Sequence, residues 1–146
     1  MSIWNTALNL LARREYSQYE LRNKLATKFP DSASEIAEVL DRLVEQGLQS
    51  DQRFVEMWLR SQIEKGRGPV RISYESRQKG IQHLIEGAIQ QSSIDWFELA
   101  ENVLKRRFSS VVDQKERARA FRYLSYRGFS SEMISHAMDA LSADKA

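Results

Sequence analysis

The chain has 146 residues, 42% hydrophobic and 29% charged, a size that holds one globular domain or a short array of small repeats. Its 22 Lys and Arg against 20 Asp and Glu leave a net charge of +2, so a case for nucleic acid has to come from local clustering rather than from the sum. With no cysteine, disulfides, thiolate zinc sites, iron–sulfur clusters and thiol nucleophiles are excluded, and nothing calls for an oxidising compartment. The opening Met1-Ser2-Ile3-Trp4-Asn5 lacks a basic region and a long apolar run, and no apolar run elsewhere approaches the roughly 20 residues of a membrane span. A soluble, untargeted, cytoplasmic protein without a membrane partner is expected.

Two prolines and six glycines punctuate the sequence, and the segments between them carry apolar residues at helical spacing. The spacing predicts nine short helices, near 3–13, 17–28, 33–46, 51–65, 69–79, 82–91, 95–108, 114–127 and 130–142. Ser17-x-x-Glu20 is a capping-box start for the second helix. Ser32-x-x-Glu35, after Pro30, reads as a second capping box, followed by Ile36, Val39, Leu40 and Leu43 on one face and a stop before Gly47. Gly68-Pro69 places a permissive residue at an N-cap and proline at the first helical position, where its missing N–H costs nothing. Asp95-x-x-Glu98 and Asp113-x-x-Glu116 open two further helices with Asp as cap.

Nine short helices invite a search for a repeat. Glu20-Leu21-Arg22-Asn23-Lys24 returns 55 residues later as Glu75-Ser76-Arg77-Gln78-Lys79, and Lys79-Gly80-Ile81 is matched by Arg127-Gly128-Phe129. The expected fold is all-α: three tandem three-helix repeats, 1–50, 51–94 and 95–146, stacked into an elongated, curved rod with an extended concave face.

The raw material for catalysis is thin. His83 and His136 stand alone, without H-x-x-x-H spacing, and read as surface or boundary residues. Gly66-Arg67-Gly68-Pro69 holds G-x-G but neither a dinucleotide fingerprint nor a Walker lysine, and no serine sits in G-x-S-x-G. Asp41 and Glu45 read as a solvated helix face. No catalytic residue, metal site or cofactor is expected.

Charge distribution says more than its total. Residues 31–45 are acidic, with Asp31, Glu35, Glu38, Asp41 and Glu45 against Arg42. Residues 60–79 are basic: Arg60, Lys65, Arg67, Arg71, Arg77 and Lys79 against Glu64 and Glu75. Residues 105–127 go further, with Lys105, Arg106, Arg107, Lys115, Arg117, Arg119, Arg122 and Arg127 against Asp113 and Glu116, eight cations less two acids, or +6. At about 100° per residue Lys115, Arg119, Arg122 and Tyr126 form a narrow stripe opposite Ala120, Phe121 and Leu124. Arg117 falls toward the apolar side and reads as structural. The stripe is either a surface for phosphates or an acidic protein, or an ordinary solvated helix face. Lys65, Arg67 and Arg71 flank a helix N-terminus, which also attracts anions, or else they line a loop that merely orients two helices. Phe54, Trp58, Trp96, Phe121 and Phe129 are expected in the core. Trp4, Tyr16, Tyr19, Tyr74 and Tyr126 are expected to be partly exposed, with Tyr74 and Tyr126 close to the basic residues.

The string EKGRGPVRISYESRQKGI, residues 64–81, together with its surroundings, resembles the RecX family of recombinase regulators. Leu48-Gln49-Ser50-Asp51-Gln52-Arg53-Phe54-Val55 looks like the family's lead into its second unit. Asp95-Trp96, Lys105-Arg106-Arg107-Phe108 and Phe121-x-x-Leu124-x-x-Arg127-Gly128-Phe129 look like its third, and Ala7-Leu8-x-Leu10-Leu11-Ala12-Arg13-Arg14-x-Tyr16-Ser17-x-x-Glu20-Leu21 like its first. Two positions depart from the pattern: Arg67 stands where an aromatic residue is common, and Ser76 where leucine is expected, which implies looser packing beside Ile72. The resemblance implies three tandem three-helix units and a regulator without catalysis of its own. Such a protein binds the RecA–single-stranded-DNA filament in its helical groove and restrains ATP hydrolysis, co-protease activity and strand exchange in repair and the SOS response. Binding then falls to Arg60, Lys65, Arg67, Arg71, Lys79, Lys105, Arg106, Arg107, Lys115, Arg119, Arg122 and Arg127, in a monomer. The alternative is a sequence-nonspecific single-stranded-DNA-binding module that acts by competing for DNA.

Overall fold

A computed structural model describes the backbone of residues 1–145 and the side chains of residues 1–142. Among the described residues there are nine helices and no strand: α1 Ile3–Arg13, α2 Gln18–Lys28, α3 Ala33–Glu45, α4 Asp51–Glu64, α5 Pro69–Gln78, α6 Gln82–Ser92, α7 Trp96–Arg107, α8 Gln114–Arg127 and α9 Ser131–Lys145. The all-α reading holds, element by element, because apolar spacing and cap chemistry agree along most of the chain.

Most starts follow the caps written in the sequence. Ser17 Oγ accepts from the Glu20 N–H at 3.1 Å while Glu20 Oε1 accepts from the Ser17 N–H at 3.1 Å, closing a capping box. Asp113 and Glu116 do the same for α8, at 2.8 and 3.4 Å, and Asp95 caps α7 through the Glu98 N–H at 3.1 Å. Proline opens α5 as expected. Ser32 departs from expectation: its side chain makes no cap hydrogen bond. With φ −119 and ψ 35 its backbone is outside the extended region from which a capping side chain reaches the free N–H groups.

The chain gathers into two compact units. One joins Met1–Trp58 with Ser76–Ala88. Its core packs Ile3 and Ala7 of α1 and Leu21 and Leu25 of α2 against the α3 stripe Ile36, Val39, Leu40 and Leu43. Buried Gln49 donates to the Tyr16 carbonyl at 3.1 Å and to Asp51 Oδ1 at 3.0 Å, while the Gln18 N–H donates to the same Asp51 oxygen at 2.8 Å. The other unit joins Leu59–Glu75 with the chain from Ile89 onward. Its core packs Ala100, Val103 and Leu104 of α7, Ala120 and Leu124 of α8, and Ile134, Ala137, Met138 and Leu141 of α9.

Phe54, Trp58 and Phe129 are buried as expected, but Phe121 is 40% exposed. It lies about 80° from the direction midway between Ala120 and Leu124, at the edge of the packed face rather than on it. Trp96 is half-buried. Tyr16, expected near the surface, is buried in the core with Leu21 and Leu25, its ring covered by the Arg14 guanidinium at 3.6 Å. Ser76 is fully buried.

A candidate basic surface on the α7–α8 unit

The stripe on α8 is where the helical geometry puts it. Ala120 and Leu124 go to the core, so Lys115, Arg119, Arg122 and Tyr126 are left in solvent. Arg107, Arg119 and Arg122, with Phe108, Tyr123 and Tyr126, line a concavity of about 340 Å³. Aromatic rings lie against two of these three arginines. Arg119 lies over Phe108 at 5.7 Å, Arg107 over Tyr123 at 5.6 Å, and Phe108 meets Tyr123 edge-on at 5.8 Å.

The glycine-rich segment before α5 closes on the end of α8. The Gly68 N–H donates to the Arg127 carbonyl at 2.8 Å and the Val70 N–H to the Gly128 carbonyl at 2.9 Å, so the free N–H groups at the α5 start are partly satisfied by the α8 C-terminus. Arg127 Nη1 in turn donates to the Lys65 carbonyl at 2.8 Å. A Cβ on Gly68 would collide with the Gly128 carbonyl, and one on Gly128, whose φ is +98, would collide with Cβ of Arg71. These glycines therefore allow two backbones to touch, which no side-chain-bearing residue permits. Lys65, Arg67, Arg71 and Arg127 line a second concavity, of about 380 Å³, with Tyr123 and Tyr126. Both concavities share those two tyrosines, so seven cationic side chains border one continuous surface.

Only part of that charge is free. Arg67 donates to Gln62 Oε1 at 2.7 Å and lies 3.9 Å from Glu75, and Arg71 donates to Glu75 Oε1 at 3.0 Å while covering Tyr126 at 5.5 Å. Glu75 thus binds Arg71 and lies within ion-pair reach of Arg67, offsetting part of the charge at that concavity. Arg117 pairs with Asp139 at 3.2 Å and reaches Ser142 at 3.4 Å, away from the stripe.

The other basic residues singled out in the sequence sit elsewhere. Arg60 is exposed on α4 and Arg106 on α7, outside both concavities. Lys105 lies 3.9 Å from Glu101, whose other oxygen meets exposed His136 at 2.9 Å. Lys79 belongs to the first unit and donates to Glu20 at 3.2 Å. Burial pushes the Glu20 carboxyl up, but hydrogen bonds from Arg14, the Ser17 N–H and Lys79 outweigh it and hold the group below its ordinary value. Sequence reasoning singled out Tyr126 but missed Tyr123, the other ring shared by the two concavities, and Phe108, which lines one of them. The clue available was Tyr123 and Tyr126 three apart among Arg119, Arg122 and Arg127.

Three family models match successive stretches: RecX, first three-helix domain, at residues 4–43, RecX, second three-helix domain, at 50–88, and RecX, third three-helix domain, at 93–138. The chain belongs to the RecX family. Among curated relatives, Regulatory protein RecX of Pseudomonas savastanoi pv. phaseolicola is 40% identical over 148 residues, covering 99% of this chain and 94% of that one. The RecX of Halorhodospira halophila is 38% identical, covering 98% and 90%, and that of Haemophilus influenzae strain PittEE is 42% identical, covering 88% of each. The crystal structure of RecX from Lactobacillus salivarius superposes with a TM-score of 0.82 at 22% identity, over 97% of this chain and 95% of that one. At that identity it is the fold that is shared. Within the RecX frame, Lys65, Arg67 and Arg71 come from the second three-helix domain, and Arg107, Arg119, Arg122 and Arg127 from the third. Relatives of this family carry the name of regulatory proteins, and among the described residues no helix is long and apolar enough to cross a membrane.

Proposed function

We propose that this chain is a non-enzymatic, monomeric, cytoplasmic regulator that binds the RecA–single-stranded-DNA filament and inhibits RecA's ATPase, co-protease and strand-exchange activities in DNA repair and the SOS response. RecX membership supplies the regulatory role. The observation that carries the site is the continuous surface of Lys65, Arg67, Arg71, Arg107, Arg119, Arg122 and Arg127 around Tyr123 and Tyr126. A filament presents phosphates and carboxylates together, and forked guanidiniums beside aromatic rings gain charge-assisted bonds from either. Arg60, Lys79, Lys105, Arg106 and Lys115 extend the same reading as secondary contacts, and 1–50, 51–94 and 95–146 are the proposed bounds of the three repeats.

The test is RecA's ATPase on single-stranded DNA with the chain titrated in, repeated with DNA in several-fold excess. Inhibition that survives excess DNA is the expected result and places the action on the filament. Inhibition that vanishes supports the competing reading, a single-strand-binding module, which the interleaving of arginines with Phe108, Tyr123 and Tyr126 favours on its own terms. No inhibition at any concentration overturns both.

A further inference from the structure

The unit built on α1–α3 contains a cavity that the regulatory reading does not use. It lies between α1 and α2 and measures about 600 Å³. Arg13 of α1 and Lys24 and Lys28 of α2 line it with Asn9, Asn23 and Leu10, and no carboxylate is among the lining residues. We propose that this cavity is a binding site for a nucleoside phosphate, taken either as a free nucleotide or as one nucleotide of a single strand.

The state of the three cations is the first argument. Arg67 and Arg71 in the other unit already lie within ion-pair reach of Glu75, whereas Arg13, Lys24 and Lys28 make no ion pair among the described residues. Arg13 and Lys28 stand in the last turns of their helices, where cations offset the carbonyl ends. Lys24, a turn earlier, has no such duty. Three like charges around one concavity repel one another, and an anion placed between them relieves the repulsion and gains charge-assisted hydrogen bonds.

Size and lining select the rest of the ligand. The volume lies inside the range of about 300–1,000 Å³ typical of small-molecule sites, so one inorganic phosphate would leave most of it empty. Leu10 supplies an apolar wall for a sugar and base. Thr6 Oγ1 is committed to the Ser2 carbonyl at 2.8 Å and Thr27 Oγ1 to the Asn23 carbonyl at 3.0 Å, which leaves the two carboxamides as the uncommitted neutral polar groups. Asn9 Nδ2 donates only to the Met1 thioether at 3.7 Å, a weak acceptor that is easily given up. A carboxamide offers a donor and an acceptor side by side, the pair that a base edge requires. This site stands whether or not RecA is the partner.

Calorimetric titration of the full chain tests it, with ATP, adenosine, tripolyphosphate and a short oligo(dA) as separate probes. ATP is expected to bind one to one. Lys24→Ala with Lys28→Ala is expected to weaken it about tenfold or more, with Tm lowered only slightly, because both lysines are exposed and a cation at a helix C-terminus contributes about 0.3–1 kcal/mol. Asn9→Ala with Asn23→Ala is expected to narrow the preference for ATP over tripolyphosphate. Displacement of ATP by oligo(dA) identifies the strand as the source, and failure to displace it identifies the free nucleotide. No ATP binding, binding indifferent to Lys24 and Lys28, equal affinity for tripolyphosphate, or binding abolished by Arg119→Glu with Arg122→Glu would each overturn the proposal.

Discussion

The Glu20 carboxylate serves both its own helix start and the residue that follows α5. One oxygen closes the capping box with Ser17, and the other accepts from Lys79, with Arg14 reaching both. Its carboxyl is held below the ordinary value near 4.5 because those hydrogen bonds outweigh the burial that opposes them. A group whose value is depressed on folding stabilises the folded state above its unfolded value, and loses that contribution as pH falls through the folded one. Glu20→Gln keeps an acceptor at the third helical position and so keeps the capping box, while removing the charge. Melting of the two proteins across pH should therefore show the native chain more stable than the variant at neutral pH and the two converging below about pH 4.5; a gap that does not shrink with acid would show that the charge contributes nothing. The cap was legible in Ser17-x-x-Glu20. The ion pair was not, because Lys79 lies 59 residues along the chain and only packing brings it back; its positive charge alone had placed it with the partner-binding residues.

Whole helices were the easiest features to read, since a 3.6-residue apolar period and a capping side chain are local and agree with each other. Where the agreement is only formal it misleads: Ser32-x-x-Glu35 has the letters of a capping box but not the backbone of one. Glycines divide in the same way. Gly128 ends α8 in the left-handed region and faces Cβ of Arg71, while Gly87, inside α6, has nothing within 4 Å of where a Cβ would stand. Gly128→Ala is expected to cost about 1–3 kcal/mol for the backbone alone, with the collision added. Gly87→Ala should instead stabilise by about 0.4–1 kcal/mol through the unfolded chain. Thermal melts of the two variants, moving Tm in opposite directions, check the assignment. The expected helix bounds already put Gly128 past the end of one helix and Gly87 inside another, but only the neighbour across the fold shows that Gly128 has no room for a Cβ.

At the scale of the whole molecule, a net charge of +2 conceals a strong separation of sign along the chain. The segment 105–127 carries +6, and reversing Lys115, Arg119 and Arg122 to Glu changes it by six, to zero. All three are exposed, so helicity and Tm should be nearly unchanged while the proposed inhibition of RecA weakens; full inhibition by the variant would remove this face from the site. Composition and periodicity determined by themselves that the chain is helical, where most of its caps fall, and which segments are basic, because each of those properties is settled within a few residues. The tertiary structure decided which charges are free and which are spoken for, and that Tyr123 joins two concavities. Those outcomes depend on residues far apart in the chain meeting at distances of a few ångströms, which no local pattern encodes.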